Sequence, residues 1–487
     1  MQQFAEQPAD ILARLEQLRA ADAPTHGGHV LSYVYDSGLA ELDELAAAAI
    51  RAVQPVNGLD PTTFTSVAVM EGEVVAFARD LLGGDADVVG SVTTGGTESC
   101  LLAVKTARDL WVSSGSTTGR PRLVAPVTVH AAFHKAAHYF GLELDLVPVG
   151  PDGRPSAEAV VERLGPDVAL VVVSAPSYPH AALDPVAEVA AAALAAGIPC
   201  HVDACIGGWV LPFWSGLPEW DFRVPGVTSV SADLHKFGYA PKGVSVLLQR
   251  GRDRQRAQFF TTTRWPGYPV VNPTMLGSKS AGALAAGWAI THALGRDGLA
   301  ALAESCERST AALVALVEGI EGLRVVGSPV GPLIAVATDE TAPADRRVDP
   351  HHWADQARAH GWLLQLQPGL AQADGSVLPH TTHLTITPVT EAVLPELSAA
   401  LVTAADEVRG VPAVSPADVL GALPGLPEGP LDSASAAAVL GAIGLVAGES
   451  GGLPDRMAPF LALVGALPAP LVERLLTELI ARVVEPR

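Results

Sequence analysis

Short runs of β-branched and aliphatic residues alternate with helical patterns from about residue 65 onward. The runs are apolar at consecutive positions, which is typical of strands that are buried on both faces of a sheet. The helical segments between them are roughly 10 to 20 residues long, so neighbouring strands can be parallel and joined by helices. The pattern predicts an α/β fold with a mainly parallel sheet, whose strands lie within residues 122–129, 167–173, 198–202, 227–231 and 243–248.

The same pattern divides the chain into four parts. Residues 1–60 form an N-terminal arm with two helical segments, and residues 61–290 form a large domain that holds the sheet. Residues 291–409 are predicted to form a smaller α+β domain. Residues 410–487 are an extension rich in Ala, Leu, Gly and Pro with short helical patterns, and we expect a packing or oligomer role for it at most.

Charge and length exclude several classes of protein. The chain has 487 residues, 31 Lys and Arg against 52 Asp and Glu, and a formal net charge of −21. An acidic surface repels nucleic-acid phosphates and anionic lipid headgroups. No apolar run reaches the roughly 18 residues of a membrane span, and no signal-peptide pattern opens the chain. We therefore expect a cytoplasmic protein with no membrane anchor and no nucleic-acid partner.

The four cysteines support an intracellular location. Cys200 and Cys205 are five residues apart, and Cys100 and Cys306 are far from both. This spacing matches neither a zinc or redox motif nor a disulfide framework. A reducing cytoplasm fits it best.

A glycine turn precedes a predicted helix at residues 98–110. The segment Thr94-Gly-Gly-Thr97 can present free backbone N–H groups and the positive end of a helix dipole to a phosphate. The alternative is that Thr94 or Thr97 caps the helix. A third glycine and a Gly-Lys-Ser/Thr ending are missing, so one small phosphate fits better than a dinucleotide or a nucleoside triphosphate.

Asp203 ends one of the predicted parallel strands and is followed by a Gly-Gly turn. A carboxylate at that edge of a sheet lies where open α/β sheets bind ligands, and it could keep a ring nitrogen protonated. The alternative is an aspartate that caps the next helix.

The loop after the 227–231 strand carries two lysines that could act as nucleophiles, Lys236 and Lys242. A lysine that is desolvated near a buried sheet edge loses its proton and can condense with an aldehyde. The neighbouring His235 and the apolar flank favour Lys236 over the alternative of a solvated surface charge.

Three histidines follow the 122–129 strand at helical spacing. His130, His134 and His138 could share one helix face and bind a metal ion. The run contains no H-E-x-x-H motif and no acidic ligand, so we expect no metal. His130 could instead lie flat on an aromatic ring, whereas His134 and His138 fit a solvated or packed helix face.

Together these segments supply a phosphate-binding turn, a stacking histidine, a carboxylate for a ring nitrogen and a lysine for an aldehyde. That set matches the requirements of pyridoxal 5′-phosphate.

The motifs T-x-G-G-T-E-S, H-A-A-F-x-K-A-A-H-Y-F-G, H-V-D-A-C-x-G-G and S-A-D-x-H-K-x-G-Y-A-P-K-G carry a family resemblance. Over roughly residues 30–400 the sequence resembles sphingosine-1-phosphate lyases and, more distantly, group II pyridoxal-dependent decarboxylases. The resemblance implies a fold-type-I homodimer whose active sites lie at the subunit interface.

The resemblance also implies a role for each matching residue. Lys236 would form a Schiff base with the cofactor, Asp203 would pair with the pyridinium nitrogen, His130 would stack on the ring, and Cys205 would lie near its opposite face. The remaining cofactor contacts would be Gly95, Gly96, Thr97 and His235, with Gly277 and Ser278 contributed by a second subunit. Substrate handling would involve Tyr35, Asn57 and Lys242, with Tyr178 in a catalytic role.

One position departs from the family pattern. The chain reads Asn57-Gly-Leu-Asp-Pro61, so Asp60 stands where family members tend to have a histidine. If that histidine contacts substrate phosphate, a carboxylate there would repel it by about 1 kcal/mol or more. A shorter or unphosphorylated substrate is therefore an alternative to a phosphorylated one.

The sequence thus predicts a pyridoxal-phosphate-dependent lyase that cleaves the Cα–Cβ bond of a β-hydroxy amine, sphingosine-1-phosphate-like or shorter, to an aldehyde and an amine. One alternative is an amino-acid decarboxylase on the same fold. Another is a scaffold without catalytic activity.

Overall fold

A seven-stranded sheet lies at the centre of the computed structural model, which describes residues 5–115, 119–415, 417, 421, 432–442 and 456–486. Its strands are Val88–Thr93 (β1), Arg122–Pro126 (β2), Glu143–Val147 (β3), Val168–Ser174 (β4), Cys200–Asp203 (β5), Val227–Ala232 (β6) and Ser245–Arg250 (β7). The strand order is β1-β7-β6-β5-β4-β2-β3. Strands β6, β5, β4, β2 and β3 are parallel, and β7 runs antiparallel to both of its neighbours. The predicted α/β fold with a mainly parallel sheet is confirmed.

Both faces of this sheet are buried. Along β4, Val171 and Val173 belong to one core cluster, whereas Leu170 and Val172 belong to another. Because side chains alternate across a strand, the two clusters lie on opposite faces. The helices of this part of the chain are Pro8–Arg19 (α1), Ala40–Ala52 (α2), Thr65–Leu81 (α3), Gly96–Ser113 (α4), Ala131–Phe140 (α5), Ala157–Val161 (α6), Val186–Ala196 (α7) and Arg252–Gln258 (α8).

A two-stranded ribbon and a long helix connect the large sheet to a smaller one. The ribbon is Phe260–Thr262 (β8) with Val270–Asn272 (β9), and the helix is Gly282–Glu318 (α9). Gly295 interrupts α9 with a φ of 56°, a conformation that glycine adopts at little cost.

The second sheet has four antiparallel strands and its own core, in which Trp353 and Leu384 are fully buried. The strands of this region are Leu323–Val325 (β10), Leu333–Thr338 (β11), Gln365–Gln367 (β12), Leu370–Ala371 (β13), Val377–Leu378 (β14) and Thr381–Thr385 (β15). β13 and β14 form a separate ribbon. The helices are Pro350–Ala359 (α10) and Thr390–Val408 (α11).

Three further helices follow near the C-terminus: Ser433–Ala442 (α12), Ala458–Ala466 (α13) and Ala469–Val483 (α14). Val439, Leu463 and Leu475 contribute to a small core that these helices share. Asp355 of α10 accepts hydrogen bonds from the backbone N–H groups of Met457 and Ala458, at 2.8 and 3.0 Å. This side chain therefore fastens the start of α13 to the smaller domain. Among the helices of the described ranges, none is both long enough and apolar enough to cross a bilayer.

Candidate active site

A cavity of about 640 Å³ opens at one edge of the large sheet. It lies where β1, β2, β5 and β6 end and where β7 begins, which is the edge at which open α/β sheets bind ligands. Its lining includes Thr94, Gly95, Gly96, Thr97, Glu98, Leu101, His130, Lys135, Tyr139, Cys205, Asp233, His235, Lys236, Lys242, Gly243, Met275 and Leu276.

Two glycines bring the turn after β1 against the base of the cavity. Gly95 has a φ of 148°, and a Cβ on Gly96 would lie 2.5 Å from Oδ2 of Asp233. Helix α4 begins at Gly96, and no side chain of the described residues caps it, so the capping alternative for Thr94 or Thr97 is not observed. The first N–H groups of α4 and its dipole are therefore available to an anion in the cavity.

Lys236 forms an ion pair with Asp233 at the base of the cavity. Nζ lies 3.0 Å from Oδ2, and the two side chains are 18% and 1% exposed. Burial alone would lower the pKa of Lys236, but the Asp233 carboxylate raises it well above its usual range. Burial alone would likewise raise the pKa of Asp233, and Lys236 lowers it. The expectation that desolvation leaves Lys236 uncharged is wrong, because Asp233 supplies the opposite charge.

His235 and Lys242 lie beside this ion pair. Nε2 of His235 is 3.5 Å from Oδ2 of Asp233, and its Nδ1 accepts two backbone N–H groups of the following loop at 3.3 Å. Nζ of Lys242 donates to the His235 carbonyl at 2.9 Å and lies 4.3 Å from the centre of the Tyr35 ring. Burial and the charge of Lys236 lower the pKa of Lys242 to about 8.

Asp203 belongs to a buried cluster with Cys100 and Cys205, whose thiol and carboxylate atoms lie within 4.8 Å of one another. Oδ1 of Asp203 accepts the Cys205 backbone N–H at 3.1 Å and the Ser231 hydroxyl at 3.5 Å. These hydrogen bonds stabilise the turn after β5, whereas the alternative raised from the sequence was that Asp203 caps the next helix. Cys205 lines the cavity, whereas Asp203 is not among the lining residues.

His130 lies in the cavity wall at the start of α5. Its Nδ1 accepts the Ala132 N–H at 3.2 Å, and desolvation of the ring lowers its pKa, although part of the residue is exposed. His134 and His138 are exposed on α5. Within the described part of the chain, the cluster of potential metal ligands near the cavity contains none of these three histidines.

Tyr178 and Tyr35 lie near Lys236 but outside the cavity lining. The Tyr178 hydroxyl donates to Oε1 of Gln365 at 2.6 Å, and its ring stacks on His383 at 4.3 Å. Burial raises the pKa of Tyr178 above its usual range and that of Tyr35 to about 12, although the charge of Lys236 opposes both shifts. Both phenols therefore keep their protons at neutral pH.

Asn57, Gly277 and Ser278 are likewise not among the lining residues. Nδ2 of Asn57 donates to Oγ of Ser278 at 3.2 Å, so the N-terminal arm and this loop are in contact. The preceding residues of the loop, Met275 and Leu276, do line the cavity. Within a single chain, Met275 and Leu276 of this loop therefore reach the cavity, whereas Asn57, Gly277 and Ser278 do not.

The carboxylate of Asp60 is bound within its own turn. Oδ1 accepts the backbone N–H and hydroxyl of Thr62 at 2.9 and 2.6 Å, and Oδ2 accepts the hydroxyl of Thr63 at 2.8 Å. These hydrogen bonds lower the pKa of Asp60 to about 2. Asp60 therefore has a structural role at the entry to α3.

Asp233 is the main site residue that the sequence analysis did not single out. It lies in the S-A-D-x-H-K motif three residues before Lys236, and an acid at this spacing from a lysine was the available signal. The other lining residues outside the predicted site residues are Thr94, Glu98, Leu101, Lys135, Tyr139, Gly243, Met275 and Leu276.

These residues fit pyridoxal 5′-phosphate. The glycine turn approaches Asp233 so closely that only glycine fits at position 96, and it has free N–H groups for a phosphate. Oδ1 of Asp233 is buried and has no hydrogen-bond partner among the described residues, so this oxygen can still accept a hydrogen bond from a ligand. Lys236 lies in the same cavity, and Asp203 lies next to Cys205 of the lining.

Comparison with known proteins agrees with this geometry. Residues 42–335 match the model of the pyridoxal-dependent decarboxylase conserved domain. A solved structure of a Burkholderia pseudomallei sphingosine-1-phosphate lyase superposes with a TM-score of 0.76 at 32% identity, over 84% of this chain and 93% of that one. The chain belongs to the sphingosine-1-phosphate lyase family. Its members depend on pyridoxal phosphate, which is the cofactor of this site.

Two curated members of the sphingosine-1-phosphate lyase family illustrate the similarity. The Dictyostelium discoideum sphingosine-1-phosphate lyase is 39% identical over 288 residues, which cover 58% of this chain and 54% of that protein. The Rattus norvegicus sphingosine-1-phosphate lyase 1 is 36% identical over 359 residues, which cover 73% of this chain and 61% of that protein. The chain thus spans somewhat more than half the length of these relatives. Residues 417–482 match a second model, described as a pyridoxal-dependent enzyme, C-terminal putative HTH domain.

Proposed function

We propose that this protein is a lyase that cleaves the Cα–Cβ bond of a β-hydroxy amine, giving an aldehyde and an amine. The observation that carries the proposal is the Lys236–Asp233 ion pair at 3.0 Å, at the base of a cavity bounded by a glycine turn. When bound, pyridoxal phosphate supplies an aldehyde for the amine of the substrate and a ring that accepts electrons.

The protein's own residues contribute to this chemistry by holding and accepting protons. Asp203, which is buried beside Cys205, is proposed to hold a proton on the ring nitrogen, and His130 lies in the cavity wall. With its pKa near 8, Lys242 can take up a proton from a β-hydroxyl at neutral to mildly alkaline pH. Tyr178, whose pKa is raised by burial, stays protonated and is proposed to act by hydrogen bonding and not as a base.

We further propose that the active unit is a homodimer. The ribbon of β8 and β9 and the loop after it expose large apolar side chains: Phe260, Trp265, Tyr268, Met275 and Leu276 are 46% to 60% exposed. Such a patch is typical of a protein interface. A second copy on this patch would adjoin the cavity, because Met275 and Leu276 also line it, and would bring Gly277 and Ser278 towards the partner's site.

The substrate is proposed to carry an anionic group. Lys135 lines the cavity wall, whereas Asp60, whose carboxylate is bound by Thr62 and Thr63, is not among the lining residues. Because Asp60 lies outside the lining, its charge does not face a ligand there, which supports a phosphorylated, sphingosine-1-phosphate-like substrate over an unphosphorylated one. We also propose that the protein acts in the cytoplasm.

The test is incubation of the purified, cofactor-loaded protein with phosphorylated and unphosphorylated β-hydroxy amines of several chain lengths. Release of a stoichiometric aldehyde supports the lyase. Carbon dioxide from an amino acid, without aldehyde from any β-hydroxy amine, would establish the decarboxylase instead. A protein that binds no pyridoxal phosphate at all would favour the scaffold.

A further inference from the structure

A second cavity lies between the smaller domain and the C-terminal helices. Its volume is about 410 Å³, within the range of small-molecule sites. It is bounded by the start of α10, the β13–β14 ribbon, residues 413–414 and one face of α13. It shares none of its described lining residues with the catalytic cavity. We call it the C-terminal pocket.

One wall of the C-terminal pocket is apolar and built from small residues. Ala458, Leu461, Ala462 and Gly465 of α13 are spaced so that they lie on one helix face, and all four line the pocket. The other side of α13 packs into the C-terminal core through Leu463. A helix that is apolar on all sides requires apolar partners on all sides. A Cβ added at Gly465 would meet no described atom within 4 Å, so this wall faces open space.

The opposite end of the pocket is polar and accepts hydrogen bonds. Oδ2 of Asp349 is 2.6 Å from Nε2 of His380, and the His351 ring is 4.6 Å from the His380 ring. Burial alone would raise the pKa of Asp349, but its hydrogen bonds, first that from His380, lower it, so the carboxylate is charged. The His380 nitrogen beside this charged carboxylate donates to it. A ligand with a hydrogen-bond donor fits this end, and a carboxylate or phosphate is repelled.

A side chain of the smaller domain holds the helix that forms the apolar wall in place. Asp355 anchors α13 to α10 by accepting hydrogen bonds from two backbone N–H groups.

The charge of the C-terminal region is unfavourable for nucleic-acid binding. Residues 417–482 contain seven acidic residues and three arginines. Two of these, Arg474 and Arg482, pair with Glu478 at 3.9 and 2.7 Å. A net charge of −4 (three minus seven) repels a phosphate backbone.

We propose that the C-terminal pocket binds an aliphatic molecule that ends in a hydroxyl group. The chain lies along the apolar face of α13, and the hydroxyl donates to the Asp349 carboxylate. This site is separate from the proposed catalytic cavity and does not depend on the lyase assignment.

Octanol and octanoate test the proposal, since they share chain length and differ in the polar end. We expect calorimetry on the full, cofactor-loaded chain to show saturable binding of octanol and none of octanoate. Ala462→Leu fills the apolar wall and should weaken octanol binding about tenfold or more, whereas the same change on the exposed face of α14, Ala481→Leu, should leave it unchanged. Lys236→Ala should also bind octanol normally, which separates this site from the catalytic cavity.

Three results would overturn the proposal: no octanol binding, equal binding of octanoate, or unchanged binding in the filled pocket. If Ala462→Leu fails to fold by circular dichroism, Gly465→Leu carries the same test, because its side chain enters open space. Failure here leaves the aldehyde assay unaffected, so the two proposals can fail separately.

Discussion

The carboxylate of Asp233 lies 3.0 Å from the amine of Lys236, and both groups are largely buried at the base of the catalytic cavity. Removing one partner of such a pair leaves an uncompensated charge. We expect Asp233→Asn to lower the free energy of unfolding by about 3 kcal/mol and to lower the pKa of Lys236. Chemical denaturation measures the first effect, and the pH dependence of amine labelling measures the second. Asp85→Asn, which removes an exposed partner of Arg250, is the control and should cost much less.

The contribution of this pair to stability should be constant over a wide pH range. The lowered pKa of Asp233 means that its contribution is lost only as the pH falls below about 4, and the raised pKa of Lys236 means that its contribution is lost only above about 10. The stability difference between the native chain and Asp233→Asn should therefore be flat between these values. A difference that disappears at pH 7 would contradict the ion pair.

Gly96→Ala should weaken cofactor binding. The added Cβ would lie 2.5 Å from Oδ2 of Asp233, so the turn must move away from the cavity. We expect at least a tenfold rise in the dissociation constant of pyridoxal phosphate, or about 1.4 kcal/mol. Titration followed by absorbance measures it. Gly72→Ala, on an exposed face of α3 where a Cβ meets no described atom, should bind normally.

Lys242 should set the rising, acidic limb of the pH–rate profile. If its neutral form accepts the β-hydroxyl proton, aldehyde release rises with pH through about 8 and then levels off. Lys242→Met should remove this rise and lower kcat by about a hundredfold. Lys105→Met, whose amine binds backbone carbonyls of residues 257–259 away from the lining, is the control. An unchanged profile in Lys242→Met would assign the proton transfer to another group.

Asp355→Ala should release α13 from the smaller domain. The side chain accepts two backbone N–H groups at the start of that helix, and loss of such a cap costs about 1 kcal/mol. We expect faster hydrogen exchange in residues 458–466 and no change in the large sheet. Asp374→Ala, which removes an exposed carboxylate bonded to Ser376, should leave exchange in α13 as it is.

The buried strands were predictable because burial on both faces leaves a continuous apolar run, as in β4. Strand β3 was not predicted, since Glu143 and Asp145 alternate with leucines on a half-buried edge. β1 was not predicted either, because Gly90 and Ser91 interrupt its apolar pattern. The antiparallel direction of β7 depends on how its connection folds, and no local pattern records it.

The cavity was predictable where its residues follow strand ends, as with Gly96 and Lys236. The charge state of Lys236 was predicted wrongly, because burial was weighed without the counter-charge of Asp233. The partner of Tyr178, Gln365, lies 187 residues further along the chain, and no sequence spacing signals that contact. The long-range contacts of the site thus required the fold.

Borohydride reduction of the cofactor-loaded protein, followed by peptide mapping, tests most directly whether Lys236 is the amine that holds the cofactor. The account predicts a single pyridoxyl group on Nζ of Lys236 and its loss in Lys236→Arg. A label on Lys242 or another lysine, or no label on a protein that binds pyridoxal phosphate, would contradict it.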